Sequence, residues 1–151
     1  MPNLDSWSPK VLSLLRFIAG LVFLQHGMQK VLGFPPKPPP PMPAPVVNAM
    51  ASAAHAAVAH APTLMMMLGK YSGDIELVGG ILLVLGLLTR VAAFICSGEM
   101  AFAYFMAHNP KGMYPINNGG DLAIMFCFVF LFLVFAGPGP IALDALMKKR
   151  A

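Results

Sequence analysis

The sequence predicts an all-α integral membrane protein: a four-transmembrane-helix bundle with a Pro/Ala-rich outer loop between the first two helices. Two observations carry this prediction. Hydrophobic residues make up 58% of the chain and charged residues only 11%, where soluble domains usually carry about 25% charge. The run Ile75 to His108 is also apolar except for Glu76, Thr89, Arg90, Ser97, Glu99 and terminal His108. As one helix it would be about 51 Å long, against roughly 30 Å of bilayer hydrocarbon. It must break, and Thr89-Arg90 is the polar pair nearest its middle. An antiparallel hairpin results, with Glu99 about 13 Å down its second arm. A carboxylate at that depth is costly in lipid and should face the bundle interior or a wet cavity.

Taken in order, Met1 to Pro9 is short and polar, with Trp7 placed like an interfacial anchor. Val11 to Phe34 is too long for a cleaved signal peptide, contains Arg16, and lacks a small-residue cleavage site. The first spanning helix is therefore predicted over about 11–34. Its Arg16, Gly20, Phe23, Gly27 and Lys30 recur at steps of three and four, forming one stripe. Small residues in such a stripe let a neighbouring backbone approach closely.

Pro35 to Pro45 is dense in proline, lacks the donors a helix or sheet needs, and predicts an extended segment. Val46 to Leu68 carries no charge, but its many alanines, His55, His60 and Pro62 argue for an interfacial or re-entrant helix over a span. The loop insertion is accordingly assigned to 35–70 and the second span to about 74–89. The third span is predicted over about 91–108. After the loop formers of Asn109 to Gly120, Asp121 sits in the first turn of the last span, about 119–136, where the helix dipole favours a carboxylate. Its F-C-F-V-F-L-F alternation resembles a strand, but an open strand in lipid leaves its backbone unsatisfied, so helix is expected. Gly137 to Pro140 stops it.

Four spans place both termini on one side. Lys10, Arg16, Arg90, Lys148, Lys149 and Arg150 share that side, against Lys30, Lys37, Lys70 and Lys111. This bias predicts a multi-pass protein with both termini cytoplasmic. Scattered charge does not make the basic face that nucleic acid requires. Cys96 and Cys127 lie inside apolar runs and build no extracellular disulfide framework.

Counting heights along the helices gives two polar layers. In the inner one, Arg16 and Glu99 are expected to form a buried ion pair, which also serves as a register device without chemistry. The outer layer gathers Gln25, His26, Lys30, Glu76, His108 and Asp121, suited to a quinone head group or a proton path. Polar residues near helix ends also occur where a helix simply meets water and head groups. No metal site is expected: Met65, Met66 and Met67 are consecutive and cannot share one helix face, and His55 and His60 lack helical ligand spacing. No dinucleotide, P-loop or haem-attachment motif is present, and catalytic residues are not assigned.

Four phrases in colinear order resemble the DoxX family of small bacterial membrane proteins. They are RFIAGLVFLQHGMQKVLGF, IELVGGILLVLGLLTRVAAF, GEMAFAYFMAHNPKGMYPINNGGDLA and GPGPIALD. The proline-rich stretch departs from the pattern, and Asp121 stands where the family commonly has glutamate. The resemblance implies a four-helix membrane protein, an oxidoreductase subunit linked to quinone or a redox partner. It points to Arg16, His26, Gln29, Lys30, Glu76, Glu99, Asn118 and Asp121 as matching polar positions. A non-catalytic membrane scaffold or assembly protein is the alternative from another class, and a small-solute transporter a third. The lipid bilayer and a membrane or peripheral redox protein are the expected partners; no motif assigns a cofactor, and quinone is the candidate the resemblance offers.

Overall fold

The computed structural model describes residues 4–37, 45, 49 and 63–149. Among these residues the chain is all helical, without a strand. Helix α1 (Ser8–Val31) follows a short 3₁₀ turn and begins with Pro9 in its first turn, where a missing N–H costs nothing. Helix α2 (Thr63–Leu85) turns tightly into α3 (Thr89–Ala103). Helix α3 continues as a π-helical turn (Tyr104–His108) and a 3₁₀ turn (Asn109–Lys111). The short α4 (Pro115–Asn118) leads into α5 (Asp121–Ala136), and α6 (Leu143–Lys148) closes the described chain. The segments Ser8–Val31 and Thr89–Lys111 are long and apolar enough to cross a membrane. Asp121–Ala136 is apolar but shorter.

Helix α1 begins and ends three residues earlier than predicted, and two boundaries nearer the site also differ. The second helix starts at Thr63, not near residue 74, so part of the predicted 35–70 insertion is regular helix. Gly69, Lys70, Ser72 and Gly73 read locally as loop formers, but packing against α1 overrides that preference. A Cβ at Gly73 would already lie 3.0 Å from Lys30 Cβ, so the two helices meet there. The hairpin also turns earlier than Thr89-Arg90: Gly86 and Leu88 take positive φ (67° and 49°), and Thr89 opens α3. Most of Pro35 to Pro45 and the Val46 to Ala61 stretch, with His55 and His60, lie outside the described residues.

The helices associate as two close pairs. In the α1–α2 pair the predicted stripe is largely borne out, since Arg16, Gly20, Phe23 and Gly27 are buried. At Gly27 an added Cβ would lie 2.3 Å from the Leu77 nitrogen, and at Gly20 2.9 Å from the Val84 nitrogen. Glycine alone allows the two backbones to come so near. In the α3–α5 pair, Ser97 donates to the Cys127 carbonyl at 2.9 Å. Phe23 joins the two pairs, meeting Phe126 and Phe130 edge-on with centroids 5.4 and 4.8 Å apart. Below it Leu83, Cys96, Phe130 and Leu133 are fully buried.

Candidate functional site

The α2–α3 turn sets the site. Glu76 lies about 14 Å before the end of α2 and Glu99 about 15 Å beyond the start of α3, so the antiparallel arms bring both carboxylates to one level. Gly27 lets α1 settle against α2 at Glu76, and Lys30 follows one turn later. Lys30 Nζ lies 2.7 Å from Glu76 Oε1, with the lysine side chain 42% exposed and the glutamate 3%. Lys30 also donates to Ser72 Oγ at 3.0 Å, and Ser72 donates to Glu99 Oε1 at 2.7 Å. The hydroxyl thus carries the influence of one ammonium to a second carboxylate. Glu76 Oε2 and Glu99 Oε2 are buried without a hydrogen-bond partner among the described residues.

These groups open onto a cavity of about 500 Å³. Helix α1 contributes Phe23, His26 and Lys30, and α2 contributes Leu68, Gly69, Ser72 and Glu76. The far wall is Glu99, Met100, Phe102 and Ala103, continued by Met106, Ala107 and His108 of the π-helical turn. Leu122, Ala123 and Phe126 of α5 complete it. A π turn of this kind is a local device often found at functional sites. The wall is mostly apolar with a few convergent polar groups, the general character of a small-molecule site.

The predicted outer layer is only partly assembled. His26, Lys30 and Glu76 line the cavity, whereas Gln25 and Asp121 are exposed and do not. His108 joins it and donates toward the Asn118 carbonyl at 3.2 Å. Asn118 is buried as part of the loop, donating to the Gly112 carbonyl at 2.7 Å and accepting from the Gly120 amide at 2.8 Å. Gln29 donates to the Pro35 carbonyl at 3.1 Å, apart from the cavity.

The expected Arg16–Glu99 ion pair does not form. Arg16 instead donates to four carbonyls: Pro138 at 3.0 Å, Val84 at 3.1 Å, Ile141 at 2.6 Å, and Leu83. Counting height from each helix's own end presumes flush ends, and they are not flush. Arg16 stands beside the end of α2 at the hairpin turn, and Glu99 lies about 15 Å further along α3. Glu99 therefore belongs to the same layer as Glu76. Arg90 likewise donates to the Phe135 carbonyl at 2.9 Å and to Val134. Both arginines cap the carbonyl ends of helices, where a cation is favoured.

Asp144 completes this inner clasp. Its carboxylate accepts from the Leu88 and Thr89 amides at 2.8 Å each, and its own amide donates to the Gly86 carbonyl at 2.9 Å. Burial raises the carboxyl's pKa, but the two amides outweigh it and hold the group below its ordinary value. Neither Ser72 nor Asp144 was singled out from sequence as a site residue. Ser72 had one available signal: it lies four residues before Glu76, on the same helical face.

The DoxX family model matches residues 11–109, which include Lys30, Ser72, Glu76, Glu99 and every other polar cavity residue named above. This chain belongs to the DoxX family. An uncharacterized protein of Haemophilus influenzae is 42% identical over 99% of this chain and all of its own length. A second from that organism is 32% identical over 49% of each chain. An uncharacterized membrane protein of Mycobacterium tuberculosis is 28% identical over 98% of this chain and 88% of its own. No solved structure matches. Family membership and the membrane-protein relative together suggest a membrane location for this DoxX chain.

Proposed function

We propose that this DoxX protein is a four-span inner-membrane protein, both termini cytoplasmic, that holds a quinone or similar lipophilic redox molecule between its two helix pairs. The cavity carries this reading: its walls are aromatic and aliphatic, and a buried Glu76, a half-buried Glu99, a lysine and two histidines converge on it. A ring fits against Phe23, Phe102 and Phe126, while its polar edge meets Lys30, Ser72, Glu76 and Glu99. A quinone supplies two-electron chemistry when bound; the chain's part is to seat the ring and keep its polar edge hydrogen-bonded. Electrons pass to or from a membrane or peripheral partner of the same redox complex. The membrane reading is supported by outward-facing apolar residues such as Phe94, Phe128 and Phe135, exposed by 65–75%, a surface that water penalises and lipid does not.

The test is direct. Protein purified in mild detergent should yield a quinone on solvent extraction, identified by absorbance and mass spectrometry, and should bind decylubiquinone. No extracted carrier and no binding would overturn the reading in favour of the non-catalytic scaffold. For topology, a reporter active only outside the cytoplasm should be silent after Ala151 and active near Pro40; the reverse pattern would overturn the orientation.

A further inference from the structure

The cavity's unpartnered groups are of one chemical kind. Glu76 Oε2 and Glu99 Oε2 are buried carboxyl oxygens without a hydrogen-bond partner among the described residues, and Glu76, paired with the Lys30 ammonium at 2.7 Å, is the one held as an acceptor. His26 holds Nδ1 2.9 Å from the Val22 carbonyl, and His108 holds Nδ1 3.2 Å from the Asn118 carbonyl. A carbonyl oxygen only accepts, so each Nδ1 carries a hydrogen that is already engaged. Donors are nearly used up. Lys30 gives two of its N–H groups to Ser72 and Glu76, and Ser72 gives its hydroxyl hydrogen to Glu99.

We infer that the cavity recognises hydrogen-bond donors on its ligand and so binds the reduced, dihydroxy-aromatic form of a lipophilic carrier in preference to the oxidised, dicarbonyl form. This rests on the reading of the cavity as a quinone site. A hydroquinone brings an O–H donor to the orphaned Glu76 oxygen. A quinone brings only acceptors, and a carbonyl set against an unpaired carboxylate oxygen leaves both unsatisfied. One such mismatch in a buried site corresponds to roughly ten- to a hundredfold in affinity. The same acceptors would draw an organic cation, but the Lys30 ammonium opposes it and the interior penalises its lost hydration. A neutral diol meets neither obstacle.

The experiment compares decylubiquinol with decylubiquinone, anaerobically, by calorimetric titration of the detergent-purified full chain. The wild type should bind the quinol at least about tenfold more tightly. Glu76→Gln replaces the acceptor oxygen by an amide donor, so the preference should shrink severalfold or invert. Equal or tighter binding of the quinone by wild type would overturn this inference and leave the quinone site standing. Binding of neither form would overturn both. Should Glu76→Gln fail to fold, the wild-type ratio alone decides.

Discussion

Ser72 joins Lys30 to Glu99: its hydroxyl accepts from the ammonium at 3.0 Å and donates to the carboxylate at 2.7 Å. Three helices are thereby tied at one level, because Lys30 is on α1, Ser72 on α2 and Glu99 on α3. One cation serves two carboxylates there, directly at Glu76 and through the hydroxyl at Glu99. Such a cluster is sensitive to one-sided changes.

Lys30→Met should lower stability by about 1–3 kcal/mol, because it leaves Glu76 buried without its countercharge; the figure is below that for a fully buried pair since Lys30 is half in solvent. Adding Glu76→Gln to Lys30→Met should recover much of the loss, as both charges are then gone. Thermal melts of the two singles and the double measure this, and additive losses would show that the pair contributes no coupling.

Arg16 and Glu99, by contrast, should behave independently. Arg16→Met removes the donor to four carbonyls and should cost about 2–4 kcal/mol. Combined with Glu99→Gln, the two effects should add within roughly 0.5 kcal/mol, as expected for separated sites. A rescue in the double mutant would contradict the geometry found for Arg16.

Helix contact should be felt at Gly27. Its replacement by alanine puts a Cβ where the Leu77 backbone stands, forcing α1 from α2 and separating Lys30 from Glu76. We expect a loss of about 1–3 kcal/mol, the usual result of overpacking, together with weakened binding of decylubiquinol. Gly98→Ala meets open space and serves as the control; its helical position should make it neutral or slightly stabilising. Melting curves and titrations of the two variants check the contrast.

Asp144 gives the inner clasp a pH dependence of definite sign. Its folded-state pKa lies below its ordinary value of 3.8, so its contribution is fully present above that value. It is lost as pH falls through the lower folded value. Asp144→Ala, which removes the cap of α3, should cost about 1 kcal/mol near neutral pH. The gap between wild type and variant should close on acidification below about pH 4. Unfolding of both proteins across pH measures it, and a gap that widens in acid would be inconsistent with the cap.

Much of this molecule is written locally. The stripe Arg16, Gly20, Phe23 and Gly27 identifies the face of α1 that α2 covers, because a helix repeats its faces every three or four residues. The apolar length from Ile75 to His108 demands a hairpin, since one straight helix is far too long. His26, Lys30 and Glu76 are legible as a polar group because each interrupts or ends an apolar run and charge is scarce in this chain.

Other features depended on contacts between segments distant in sequence. Residues 69–73 look like a loop on their own, yet they are helix, with Gly73 packed against Lys30 and Val31 of α1. That extra length places Glu76 in the middle of α2 and not at its mouth. Glu99 had a depth but no partner until the relative heights of the helices were known. Those heights follow from where Arg16 finds carbonyls at the end of α2, a relation that periodicity cannot encode. Spacing along one helix determines which residues share a face; side-chain packing and buried hydrogen bonds between helices determine how far each slides past its neighbour. In this protein that slide decides whether Glu99 meets Arg16 or Ser72.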